Sequence, residues 1–492
     1  MGILSALEPK KVFFFFEQLC AVPHGSGNTR QISDFCVRFA RERGLEHYQD
    51  TLGNVILIGP ASPGYEAAEP IILQGHLDMV CVRTPDCPLD LVRDGLRLET
   101  DGDFVYAQGT SLGGDDGIAV AMALAVLDSP EIPRPRVEAV FTVDEETGMY
   151  GAAGLDLTPL RGRRLINLDS EVEGIFTVSC AGGLRADCVL PAPREAVCLP
   201  RCRLVIDGLQ GGHSGIEIHK GRGSANQLLG RVLHAVAAKA PVKLLALSGG
   251  TADNVIAKRA EALLAGEEAA LAAAAAAAAD MEAQLRTELA GADPAVRIHA
   301  ERLPAAPAMA VTPPALDTLL AVMAELPQGV QSTSERIPGL VQTSLNLGTA
   351  ELTPDALELR FSLRSSLAAE KAALLERLRA IVQAHGGSVT TEGAYPAWEY
   401  REHSPLRELM IQVYTEQYGA PPRIDAIHAG LECGLLCGKR PELDCISIGP
   451  DILDIHSVHE RLSIASVQRV WRFLLEVLRR ADNHGEEKPY VS

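Results

Sequence analysis

At 492 residues the chain is longer than one hydrophobic core serves, so two or more domains are expected. Its 47% hydrophobic content, with scattered Gly and Pro, is that of a globular enzyme and excludes fibrous and disordered classes. A formal charge of −19 repels phosphate backbones and anionic lipid, which argues against nucleic-acid and membrane partners and leaves room for bound cations.

Near the N-terminus, Phe13 to Phe16 is the most apolar feature. Glu17 closes it after one helical turn and no small-residue cleavage pattern follows, so no signal peptide is expected. Gly2 lacks the Ser or Thr that myristoylation wants at the sixth position, where Ala6 stands. No stretch has the length and apolarity of a membrane span, and the chain reads as cytoplasmic. Eleven cysteines, an odd number without a Cys-x-x-Cys pair, point to reduced and mostly buried thiols. The closest pairs, Cys198 with Cys202 and Cys433 with Cys437, have only a loose metal-like spacing.

Residues 1–185 alternate helical and strand patterns, an α/β rhythm. Helical spacing runs through Lys11 to Cys20 and Thr29 to Arg43. Short apolar runs at Asn54 to Ile58, Pro70 to Leu73, Val137 to Val143 and Arg164 to Leu168 predict strands buried on both faces. Residues 186–396 alternate strands with long Ala/Leu/Glu helices, among them an exposed helix over the eight alanines Ala272 to Ala279. Over 397–492 the α/β texture returns, with a helix near Pro405 to Tyr418, a strand at Asp444 to Ile448 and a last helix from Ser466 to Arg480. A middle domain inserted into a discontinuous first domain explains this order.

The polar residues that matter sit where predicted strands end. Ile71-Ile72-Leu73-Gln74-Gly75 runs into His76-Leu77-Asp78, Val137 to Val143 into Asp144-Glu145-Glu146, and Leu165 to Leu168 into Asp169-Ser170-Glu171. Open α/β sheets bind ligands at the carboxyl ends of their strands, so these clusters should converge on one crevice. A fourth cluster, Gly113-Gly114-Asp115-Asp116-Gly117, precedes an apolar helix from Ile118 to Leu127, where a plain N-cap and turn would also explain it. It does not suit phosphate, because adjacent carboxylates repel that anion and neither glycine-rich phosphate spacing is present.

Taken singly, His76 reads as a hydrogen-bonded core histidine and Glu145-Glu146 as a solvated strand end; together the four clusters resist such explanations. Gathered carboxylates repel one another unless a cation joins them. Imidazole with carboxylate suits a zinc pair sharing a bridging carboxylate, with one of Glu145 and Glu146 on the metal and the other acting as general base on the metal-bound water. A further imidazole follows the strand that ends near Ile448: either His456 or His459 completes the second site, and spacing does not choose between them.

These motifs resemble the bacterial aminoacyl-histidine dipeptidases, also called Xaa-His or cytosolic non-specific dipeptidases, within the aminoacylase and carboxypeptidase G metallopeptidase superfamily. The resemblance spans nearly the whole chain and is carried by Pro70 to Val80, Gly109 to Gly117, Val143 to Met149 and Asn167 to Glu171. Gly211-Gly212-His213-Ser214-Gly215, His428 to Gly434 and Ser447-Ile448-Gly449-Pro450 extend it. It implies an α/β zinc-peptidase catalytic domain with a mostly parallel central sheet, plus an inserted α+β lid and dimerisation domain. It also implies two Zn2+ per subunit, replaceable by Mn2+ or Co2+. His76 and Asp169 would bind one ion, Glu146 and His456 the other, and Asp115 would bridge both. Asp78 would orient His76, and Glu145 would take the proton from the bridging water and later give it to the leaving amine. His213 is similar to the residue that family members reach across a homodimer interface to the tetrahedral oxyanion. Asn254 and Arg364 fall where related enzymes hold substrate, with a surface strand arginine an equal alternative for Arg364.

The chain departs from the family at three places. Gly113-Gly114-Asp115-Asp116-Gly117 replaces Gly-Ala-Asp-Asn-Gly, Asn254-Val255-Ile256-Ala257-Lys258 replaces Asn-x-Ile-Pro-Arg, and Val458 and His459 replace Pro and Asp after His456. The Lys258 change loses a bidentate fork and, with the changed neighbours of His456, bears on substrate preference. The resulting expectation is a dipeptidase that attacks the peptide carbonyl with a metal-bound hydroxide. A superfamily amidohydrolase or tripeptidase and a non-catalytic metal-binding scaffold are the competing readings, and the intact Glu145 speaks against the scaffold.

Overall fold

In the computed structural model, residues 2–481 are described. They divide into two compact units, one formed by residues up to 179, 400–426 and those from 431 on, the other by 180–399 with 427–430.

The chain opens with α1 (Lys10–Cys20), α2 (Arg30–Glu42), β1 (Glu46–Gln49), β2 (Val55–Gly59), β3 (Ile71–His76), β4 (Leu98–Thr100) and β5 (Phe104–Ala107). It continues with α3 (Gly114–Leu127), β6 (Val137–Thr142), α4 (Tyr150–Gly154), β7 (Arg164–Asn167) and β8 (Ile175–Cys180). The second unit holds β9 (Gly182–Pro191), β10 (Arg194–Asp207), β11 (Gly212–His213), α5 (Ala225–Lys239), β12 (Lys243–Gly249), β13 (Val255–Ile256), β14 (Ala260–Ala265) and α6 (Glu268–Glu288). It ends with β15 (Arg297–Val311), α7 (Pro313–Glu325), β16 (Gly329–Thr333), β17 (Val341–Leu352), β18 (Ala356–Ser365), α8 (Ala368–Ala384) and β19 (Ser388–Tyr395). The return carries α9 (Pro405–Tyr418), β20 (Arg423–Ile427), α10 (Glu432–Lys439), β21 (Asp444–Ser447), β22 (Ile452–Leu453), β23 (Arg461–Ser463) and α11 (Ile464–Arg480).

The first unit is built on an eight-stranded sheet in the order β1-β2-β6-β3-β7-β21-β8-β20. Its centre, β6-β3-β7-β21, is parallel, while β1, β2 and β8 pair antiparallel outside it. Every residue of β2, β3 and β6 is buried, as continuous apolar runs require when helices cover both faces of a sheet. On α1, Phe13 and Phe16 are buried while Phe14 is exposed, so the phenylalanine run is one amphipathic turn and not an all-round apolar segment. Because β3, β6 and β7 run the same way, their carboxyl ends lie on one edge.

The second unit is a nine-stranded sheet, β15-β10-β14-β12-β17-β18-β9-β19 with β16 on β17. Residues of α5, α6, α7 and α8 bury an apolar core against it. One expectation is corrected here. The alanine helix is not simply exposed: Ala270, Leu271, Ala274, Ala277 and Ala278 recur at helical spacing and are buried in that core. Small side chains there let the helix lie close to its neighbours, so the run encodes a packing face that a composition-based reading misses. All eleven cysteines are free, and Cys445 Sγ lies 3.2 Å from Cys433 Sγ. Among the described residues no helix is long and apolar enough to cross a membrane.

Candidate metal centre

β3 delivers His76 to the sheet edge, and the two residues beyond it turn back to hold the ring. The Nδ1–H of His76 donates to the backbone carbonyl of Asp78 at 2.9 Å, and Asp78 Oδ1 lies at 3.5 Å. This fixes the ring so that Nε2 faces Asp115 Oδ1 at 3.2 Å and Asp169 Oδ1 at 3.5 Å. The sequence led us to expect the Asp78 carboxylate itself to orient His76. That carboxylate does face the ring, and it also holds the next strand end: Oδ1 accepts from the Glu145 amide at 3.0 Å, and Oδ2 from the Glu146 amide at 3.3 Å and Ser26 Oγ at 2.8 Å. The carbonyl is the nearer partner because it lies within reach of Nδ1 along the same turn.

Asp115 is the hinge of the arrangement. Its Oδ1 faces His76, while its Oδ2 lies 3.2 Å from His456 Nε2, which in turn meets Glu146 Oε1 at 2.8 Å. Of the two candidate histidines, His456 is therefore the one that joins the cluster. Its φ of 60° is left-handed, an uncommon conformation for a side-chain-bearing residue. Potential ligand atoms come within 4.8 Å of one another in three sets: His76, Asp116 and Asp169; His76, Glu145 and Glu146; and Asp115, Glu146 and His456. Nitrogen and oxygen donors of this kind suit zinc and similar divalent ions, and the residues present fit such ions.

The electrostatics also fit a cationic occupant. Burial, joined by the charges of Asp169, Glu432 and Glu146, pushes Glu145 up to about 9 against the pull of His76. Burial likewise pushes Asp169 up to about 7. His456 is lifted to about 10 by its hydrogen bonds to Asp115 and Glu146. For Asp115, the contacts with His456 and His76 overcome the upward push of burial and hold it below the ordinary range. Carboxylates so close together hold their protons or need positive charge among them.

Three buried groups that the sequence reading did not single out support this edge. Asp116 Oδ2 accepts from the His76 amide at 3.0 Å, and only a glycine at 75 allows it, since a Cβ there would lie 2.4 Å from that oxygen. Glu432 accepts from Gln74 Nε2 and Thr142 Oγ1, each at 2.6 Å, and Gln74 Oε1 accepts from Asn167 Nδ2 at 2.6 Å, tying together β3, β6 and β7. Glu460 receives the backbone amides that lead into Asp115. Adjacency to a candidate ligand in sequence was the signal available for Asp116; Glu432 and Glu460 offered only their places inside motifs.

The remaining predicted residues lie in the second unit. His213 on β11 pairs with Val255, and the carbonyl of Asn254 accepts from the Ser214 amide at 2.8 Å, so His213 and Asn254 are neighbours. His213 Nδ1 accepts from the amides of Gly215 and Ile216 at 3.1 and 3.2 Å, which assigns the proton to Nε2. Burial and Arg364 hold its pKa down, which favours the neutral ring with its N–H at Nε2. Arg364 is no surface arginine: it is 9% exposed and donates to Tyr395 Oη at 3.1 Å. Beside it, Ser344 Oγ and His428 Nε2 lie 2.7 Å apart.

Residues 72–480 match the model of peptidase family M20/M25/M40. The chain is 36% identical over 481 residues to the cytosol non-specific dipeptidase of Escherichia coli (strain K12), covering 97% of this chain and 99% of that one. The crystal structure of aminoacylhistidine dipeptidase from Vibrio alginolyticus superposes with a TM-score of 0.92 at 34% identity, over 97% of this chain and 98% of the other. A tripeptidase from Staphylococcus aureus, 14% identical with a TM-score of 0.54 over 98% of this chain and 100% of its own, shares the fold.

Proposed function

This chain belongs to peptidase family M20/M25/M40 and is a hydrolase, and from that membership we propose a dipeptidase that holds two zinc ions per subunit and cleaves Xaa-His and other dipeptides. The observation that carries the reading is the position of Asp115, whose two carboxylate oxygens each lie 3.2 Å from the Nε2 of a different histidine. A carboxylate so placed suits a bridge between two ions, with His76 and Asp169 on one side and Glu146 and His456 on the other.

When bound, the ions supply Lewis acidity and lower the pKa of water from about 15.7 towards roughly 7. The protein's own share is proton management and positioning. Glu145, once cations offset the burial and neighbouring carboxylates that raise it, takes a proton from water and passes it to the leaving amine. Asp78 anchors the backbone of Glu145 and Glu146 and thereby the base and its neighbour together. His213 offers Nε2–H to the developing oxyanion, and Arg364 and Asn254 hold the substrate's carboxylate and backbone. We read the second unit as a lid and dimerisation domain, with His213 serving the partner subunit's centre in a homodimer. The naming of the Escherichia coli relative supports a cytoplasmic setting.

The test is a dipeptide panel on purified, zinc-loaded protein with free histidine and other amino acids as readout, alongside metal content. Release from dipeptides with two zinc ions per chain supports the reading. N-acyl amino acids or tripeptides outpacing dipeptides would select the broader amidohydrolase or tripeptidase reading, and no turnover at all would leave a metal-binding scaffold.

A further inference from the structure

Glu460 lies four residues beyond His456, at the end of the loop between β22 and β23, and its side chain meets the backbone that leads into Asp115. It is 3% exposed. Its Oε2 accepts from the amides of Leu112 at 2.7 Å and Gly113 at 3.1 Å, and its Oε1 from those of Gly114 at 2.8 Å and Asp115 at 3.3 Å. Four consecutive N–H groups thus converge on one carboxylate. Gly113, with φ 67°, makes the turn that aims them together, and a Cβ on Gly114 would already crowd Oε1 at 3.2 Å.

The consequence is a closed ring of contacts. The Asp115 side chain meets the His456 imidazole, the chain runs from His456 to Glu460, and the Glu460 carboxylate returns to the Asp115 amide. An aspartate side chain has only two torsions, so the orientation of the Asp115 backbone limits where its carboxylate can sit, and the contacts of Oδ1 with His76 and Oδ2 with His456 fix the rest. We infer that Glu460 is a positioning residue for the metal centre: it sets the Asp115 bridge and the His456 loop in register, and occupancy of the Asp115–Glu146–His456 side depends on it. The inference rests on the metallopeptidase reading above. The plainer alternative is a cap for the first turn of α3, which would affect stability alone.

The two differ in what Glu460→Gln does. The carboxamide keeps one acceptor oxygen and turns an NH2 group against amides that also donate, so the loop loses its clasp. Cobalt(II) titration of the metal-free protein, followed by the visible absorption of the bound ion, reads the outcome without turnover. The expected result is one equivalent bound as in wild type, the second weakened about 10- to 100-fold, and faster hydrogen exchange at the amides of Leu112 to Asp115. Glu460→Asp, which retains both acceptor oxygens on a shorter arm, should recover part of the second equivalent. A Glu460→Gln protein that binds both equivalents with wild-type affinity and spectrum overturns the inference and leaves the dipeptidase reading intact. A wild type that binds no cobalt removes the reading itself, before any variant is made. Should Glu460→Gln not fold, exchange in metal-free wild type decides. Amides 112–115 protected like those of α3 support the clasp, and exchange at open-loop rates overturns it.

Discussion

The carboxylate of Asp78 accepts the backbone amide of Glu145 at 3.0 Å, so the residue that steadies one imidazole through its carbonyl also fixes the strand end bearing the proposed base. Asp78→Asn puts an NH2 group where two amides and a serine hydroxyl now donate. We expect metal affinity and kcat/KM each to fall about 10- to 100-fold, measured by chelator competition and dipeptide turnover. Wild-type values for both would remove Asp78 from the machinery.

Glu145→Gln should separate binding from chemistry. The side chain keeps its size and loses its proton-accepting oxygen, so kcat drops by about 10²- to 10⁴-fold while two metal equivalents remain bound. Unchanged turnover would mean that another group moves the proton.

Chelation should destabilise the fold, because the buried carboxylates around Asp115 then face each other without the ions. An ion binding only the folded chain contributes about 4 kcal/mol at a thousand times its Kd. A melting temperature that drops on chelation and returns with zinc is the expected pattern; equal melting in both states argues against a high-affinity centre.

His428 gives a pH dependence of known sign. Burial, with Arg364 and His213 nearby, lowers it to about 3 in the folded protein. Between that value and its ordinary 6.5 the unfolded chain binds more protons, so this contribution to stability is complete above pH 6.5 and is lost as pH falls. At about 1.4 kcal/mol per pH unit, acidification from pH 7 to 5 should remove up to about 2 kcal/mol through this residue. His428→Asn should be less stable than wild type at pH 7, with the gap narrowing towards pH 5 in urea unfolding; a constant gap refutes the assignment.

If His213 serves the partner's centre, mixed dimers of Glu145→Ala and His213→Ala chains should regain activity. The His213→Ala protomer keeps its base and receives His213 of the partner subunit. Activity no greater than the sum of the two parent variants would place His213 in its own chain's site.

Much of the candidate ligand cluster was legible because three of its members stand at the ends of apolar runs, and a parallel sheet turns such ends to one edge: His76, Glu146 and Asp169 follow from β3, β6 and β7, whereas Asp115 precedes an apolar helix. His456 could not be told from His459, since that depends on a turn with positive φ. Arg364 could be read equally as a surface strand arginine or as a substrate contact, because its burial arises from Tyr395 and flanking strands that spacing does not reveal. Glu460 and Glu432 were hidden for the same reason: their partners Leu112 and Gln74 lie 348 and 358 residues away. Alternation and spacing report which face a side chain takes, not which distant amide it meets. The alanine helix shows the converse, where composition suggested solvent and the spacing within it marked a buried stripe.

The left-handed backbone at His456 sets a conflict between robustness and chemistry. A glycine would occupy φ 60° with less strain, so a selection for thermal tolerance carried out on the metal-free protein, where no bound ion contributes, would favour replacing this histidine. Such a screen would harvest hardier proteins that have discarded an imidazole from the centre. Libraries built on this scaffold should therefore hold position 456 fixed and seek their gains elsewhere.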